Sequence, residues 1–127
     1  MRESFYVNLL LIAIGGAIGS VARFLLSIFV LRTTGTLFPL GTFVVNAVGC
    51  LVFGLIAGAA EQRVALSPDA RAFLLIGILG GFTTFSSYAY ESFALIRDGQ
   101  MLWATFNLVA QVVIGLMSVA VGFAIMR

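Results

Sequence analysis

Three polar clusters stand inside otherwise apolar stretches of this 127-residue chain, and their residue types limit the chemistry open to them. Thr42 and Asn46 lie four apart, on one face of a helix, with Gly49 and Cys50 further along it. Asn107, Gln111 and Ser118 share a face by the same spacing. Between these two stretches runs Gly80-Gly81-Phe82-Thr83-Thr84-Phe85-Ser86-Ser87-Tyr88, a weak helix former with two glycines followed by hydroxyl residues. None of the three clusters contains an acid or a base. They offer amide N–H and hydroxyl donors, which suit a small anion or a neutral solute better than a metal cation. A lone Ser or Thr can bond back to its own helix, and amides can simply join helices. Two amides in one stretch matched by a third in another favour a shared polar track.

Two charges also fall within apolar stretches. Arg23 either snorkels to the nearer interface or lines an aqueous vestibule that draws anions in. Glu91 follows Thr83 and Ser87 at four-residue spacing, which predicts local pairing or capping. Enzyme chemistry has little to work with. There is no histidine, and Cys50 is the only cysteine, so neither a nucleophile–base pair nor a His/Cys metal site can be assembled. Cys50 reads as a small buried apolar side chain. The seven basic residues are all arginines and are scattered, with no basic cluster for nucleic acid.

The elements that must position these residues follow from composition. Hydrophobic residues make up 61% of the chain and charged residues 9%, which no soluble domain of this size accommodates. The solvent is therefore lipid. Uncharged runs cover 4–22, 33–60, 72–90 and 99–126, each about as long as the roughly 20 residues a spanning helix needs. They predict one all-α transmembrane domain over residues 1–127, with helices near 5–31, 40–60, 71–95 and 102–126. The first run has the look of a signal peptide, but three more follow, so it reads as a span. Ser67, Pro68 and Asp69 form a helix start, with Ser67 as cap.

The centre of 71–95 is residue 83, so the Gly-Gly and hydroxyl run falls at mid-membrane and predicts a broken third helix. Such breaks persist only where protein or a cavity satisfies the freed backbone groups, and they are where transporters and channels place ions. Small residues recur four apart at Gly15 and Gly19, Gly54 and Gly58, Gly77 and Gly81, and Ser118 and Gly122, which lets backbones approach closely. Four short helices enclose too little space for a pore and its supporting shell, which favours an oligomer. Arg2, Arg63, Arg71 and Arg127 fall on one side against Arg23, Arg32 and Arg97 toward the other, a weak bias compatible with either orientation.

The same residues carry a resemblance to the Fluc (CrcB) family of fluoride channels. It rests on Gly15 to Gly19 with Arg23, on Gly41-Thr42 with Asn46, and above all on Gly80 to Ser86 with Glu91. The resemblance implies an antiparallel, dual-topology homodimer in the lipid bilayer of the plasma membrane, the inner membrane of a bacterium. It implies two fluoride pores and a structural sodium ion held by the backbone carbonyls of Gly80 and Thr83. The pore residues it carries over are Asn46, Phe85 and Tyr88, with Thr42, Ser86, Ser87 and Gln111 beside them and Arg23 in a vestibule. The second aromatic is usually phenylalanine; here it is Tyr88, whose hydroxyl either reaches fluoride or ties itself to a neighbour. Phe82 is expected to be core packing. Two alternatives remain: a small multidrug-type transporter, which would need a carboxylate in the first helix where this chain has Arg23, and a non-transporting assembly subunit.

Overall fold

A computed structural model of the chain describes residues 2–62 and 66–127; Arg63, counted above on one side of the membrane, lies outside the described residues. Apart from short connections, the described residues are helical. Helix α1 is Arg2–Thr34 and α2 is Leu40–Glu61. The third span begins with Pro68–Arg71, widens into a π-helical stretch Ala72–Leu79, and ends with Gly80–Phe82; these run on without interruption and are together α3, residues 68–82. Helix α4 is Phe85–Arg97 and α5 is Met101–Met126. Four segments are long and apolar enough to cross a membrane, with α3 and α4 counted as one. At about 1.5 Å per residue α1 is roughly 50 Å long, well beyond a bilayer core of about 30 Å, so its ends reach past the hydrocarbon.

Local sequence explains where the helices start and stop. The Ser67 hydroxyl accepts from the Ala70 N–H at 3.2 Å, with Pro68 next in line, which starts α3 as its residue types predict. Gly99, at φ +75°, closes α4: its N–H reaches the Ile96 carbonyl and that of Gln100 reaches Leu95. This six-to-one, five-to-two pair is a Schellman ending, which needs a left-handed residue at this point. Thr83 and Thr84 between α3 and α4 are both extended, with ψ of 155° and 111°.

Lipid offers no hydrophobic drive to bring helices together, so packing rests on close backbone approach. Helix α1 runs against α3, and α2 against α5. A methyl group at Gly19 would run into the Ile78 carbonyl, and one at Gly81 into that of Gly16. On the other side, Gly54 faces the Val119 carbonyl and Gly122 that of Leu51. The recurring small residues therefore pack helices within one chain. Few large side chains are buried: Val45 and Asn107 are the largest enclosed completely.

Candidate functional site

The second, third and fourth spans border a cavity of about 460 Å³ placed where α3 gives way to α4. Of the residues singled out in the sequence, Asn46, Gly80, Thr83, Phe85, Tyr88 and Gln111 border it, together with Thr84 and Cys50. Thr42, Ser86, Ser87 and Arg23 do not. Thr42 is buried one turn before Asn46 and donates to Glu91 Oε1 at 2.6 Å, which joins α2 to α4. Glu91 thus pairs across the bundle and not locally as its spacing with Thr83 and Ser87 predicted; the carboxyl follows the nearest donor, which another helix supplies. Cys50 is half-buried on the cavity wall and not sunk in a core.

Asn46 meets the backbone of Thr84 with both ends of its amide. Its Oδ1 accepts from the Thr84 N–H at 2.9 Å and its Nδ2 donates to the Thr84 carbonyl at 3.1 Å. The second Nδ2 proton goes to Gln111 Oε1 at 2.9 Å. Gln111 in turn donates to Asn107 Oδ1, Asn107 to Ser92 Oγ, and Ser92 to the Tyr88 carbonyl, over distances of 2.8–3.0 Å. Of the polar track of the sequence, Asn46, Gln111 and Asn107 thus form a continuous chain of hydrogen bonds linking α2, α5 and α4, whereas Thr42 pairs with Glu91 and Ser118 takes no part in it.

Thr84, buried and not singled out beforehand, is the pivot. Its hydroxyl accepts from the Ser87 N–H at 3.1 Å and donates to Ser87 Oγ at 3.0 Å, which starts α4. A threonine three residues ahead of a polar position is an N-cap signal, and it was available in Thr84…Ser87. The caps have a consequence for the preceding turn. In an unbroken helix the N–H groups of Thr84 and Ser87 would serve the carbonyls of Gly80 and Thr83. Here they serve Asn46 and Thr84 Oγ1 instead.

Aromatic rings complete the wall. Phe85 and Tyr88 have centroids 5.6 Å apart and planes inclined by 59°. Tyr88 is buried and its hydroxyl donates to the Leu108 carbonyl at 2.7 Å, so the extra oxygen is tied to α5. Phe85 is 78% exposed on the single chain. Phe82 is half-buried, with its ring and the Thr83 methyl over Gly49, where a side chain would collide.

Comparison with known proteins agrees with these motifs. Residues 10–123 match the family described as CrcB-like protein, Camphor Resistance (CrcB). The chain belongs to the CrcB family. It is 46% identical over 121 residues to the fluoride-specific ion channel FluC of Methylobacillus flagellatus, covering 94% of each chain. It is 45% identical over 118 residues to the FluC of Maridesulfovibrio salexigens, covering 93% of this chain and 94% of that one. The FluC of Nitratidesulfovibrio vulgaris is 46% identical over 111 residues. With four apolar spans and membership in this family, the chain is a multi-pass membrane protein.

Proposed function

We propose that this chain is the subunit of a fluoride-selective channel that passes the anion out of the cell by electrodiffusion and so lowers cytoplasmic fluoride. The observation that carries the reading is the cavity at the α3–α4 junction. Its wall combines amides, hydroxyls and three aromatic rings, those of Phe53, Phe85 and Tyr88, and includes no carboxyl group. Fluoride holds its water tightly, so a narrow path must replace that shell with fixed donors and positive ring edges. The relatives named as fluoride-specific channels match over nearly the whole chain, which supports the choice of anion. The same kinship argues against a multidrug exchanger, an assembly subunit or an enzyme.

The working unit in this reading is an antiparallel homodimer in the inner membrane, with two pores and the third span broken at mid-membrane. Exposure of the Phe85 ring beside an open cavity supports a partner chain at this face. The residues present also fit a structural sodium ion. The carbonyls of Gly80 and Thr83 lose their helical donors to the caps described above, and carbonyl oxygen is the ligand a hard cation takes. When bound, the ion would neutralise those carbonyls and hold the two broken spans together. Arg23, half-buried in α1, would raise the local anion concentration on the approach.

Purified protein in liposomes should release fluoride, and not chloride, down its gradient without a proton gradient. Well-reconstituted protein that releases no fluoride would end this reading.

A further inference from the structure

The amides around the cavity are not equivalent, and a count of their protons shows which one is available. Thr83 donates its hydroxyl proton to the Leu79 carbonyl, Thr84 to Ser87, and Tyr88 to the Leu108 carbonyl. Both Nδ2 protons of Asn46 are engaged, by the Thr84 carbonyl and by Gln111. Gln111 gives one Nε2 proton to Asn107 and keeps the other. Among the described residues it is the one amide on the cavity wall with a proton left over; the Cys50 thiol is only a weak donor.

The orientation of that glutamine is determined, because both ends of the chain rest on backbone groups whose polarity is fixed. At one end the Thr84 N–H and carbonyl admit a single orientation of the Asn46 amide. At the other, Ser92 must donate to the Tyr88 carbonyl, which leaves its oxygen to accept from Asn107. Between them Gln111 cannot flip without setting N–H against N–H at Asn46 and oxygen against oxygen at Asn107.

We infer that Gln111, through its remaining N–H, is the side-chain donor this cavity offers to a fluoride ion, and that Asn46 is a positioning residue. Asn46 holds the Thr83–Thr84 junction and turns the glutamine the right way. This assignment rests on the channel reading above and divides the work between two residues that the sequence places on one polar track.

The test uses the full chain in liposomes, with fluoride as probe and protein-free leak subtracted. With its carboxyl ionised, Gln111→Glu cannot donate to Asn107 and that bond is lost. Lowering the pH protonates the carboxyl. It then accepts from Asn46 and gives its single proton to Asn107, which restores both network bonds and leaves no donor over. The expected result in acid is wild-type thermal stability in detergent with fluoride flux lower by about tenfold or more, the loss of one hydrogen bond to an ion. Wild-type flux from the protonated variant overturns the donor role.

Should that variant fail to fold, Gln111→Met keeps the length of the side chain and decides the matter. A folded variant with about tenfold less flux supports the donor, and one within about twofold of wild type overturns it. Amide exchange separates the role of Asn46: the Thr84 N–H should lose protection in Asn46→Ala and keep it in Gln111→Met. Full protection in Asn46→Ala removes the brace. A wild-type protein that releases no fluoride ends the channel reading and this assignment together, whereas wild-type flux indifferent to Gln111 ends the assignment alone.

Discussion

The seam between α1 and α3 and the junction of α2, α4 and α5 solve the same problem by different means. At the seam, glycines bring backbone against backbone, and among the described residues no side-chain hydrogen bond crosses it. At the junction, three amides, three hydroxyls and a carboxyl join the helices through directed bonds. Dispersion between backbones holds helices close but says nothing about the orientation of any group. Hydrogen bonds between amides tolerate more space but fix which atom faces which. A channel needs both, and this chain keeps them apart: α1–α3 sets distance and the junction sets polarity.

The seam breaks first if this contrast is right. Gly19→Val puts a branched side chain onto the Ile78 carbonyl, a backbone atom that cannot swing away. Overpacking of this kind costs about 3 kcal/mol, enough for the protein to be lost from the monodisperse peak in size-exclusion chromatography. A Gly19→Val protein that elutes and melts like wild type would mean that the seam is looser than described.

The junction should be less brittle. Asn46→Ala removes three hydrogen bonds and strands the Thr84 N–H and carbonyl, at a cost of about 2 kcal/mol in thermal stability. Fluoride flux falls with it, while the dimer of the proposed assembly persists by cross-linking. Normal flux would separate the junction from permeation. Tyr88→Phe keeps the ring and deletes only the bond to Leu108, so stability in detergent drops by about 1 kcal/mol or less. An unchanged melting temperature would show that the hydroxyl does not anchor α4 to α5.

The smallest effect has the opposite sign. Gly16 is next to Gly15, yet a methyl group there meets nothing within 4 Å. Gly16→Ala should therefore stabilise α1 by about 0.5 kcal/mol through helix propensity, visible as a slightly higher melting temperature. The same change at Gly15, whose methyl would meet the Phe73 carbonyl and Gly77, should destabilise. If both glycines respond alike, the close approach of α1 to α3 is wrong in register.

Much of this was legible in the residues themselves. The spans near 40–60 and 102–126 lie within a residue of α2 and α5, since the runs between charges are as long as the helices they form. The first helix extends three residues further at each end than 5–31, because Arg32, Thr33 and Thr34 continue it where hydropathy had already fallen. The third span starts at Pro68, as its cap implies, and not at 71. Within the site, the spacing of Asn46, Gln111 and Asn107 pointed to a shared polar track. It did not reveal Thr84 as the group that organises it, nor the pairing of Glu91 with Thr42.

Composition and run length alone determined that lipid is the solvent, that the chain crosses it four times, and that the polar groups within, Arg23 and Glu91 apart, lack fixed charge. These follow from sums over neighbouring residues, which any unfolded copy of the chain already contains. Which donor is free is a different kind of fact. Asn46 is consumed by Thr84 and Gln111, partners 38 and 65 residues away, and Tyr88 by a carbonyl 20 residues on. An amide carries two protons and an acceptor wherever it stands, so its type sets what it can offer. Only the neighbours that folding brings to it decide what remains.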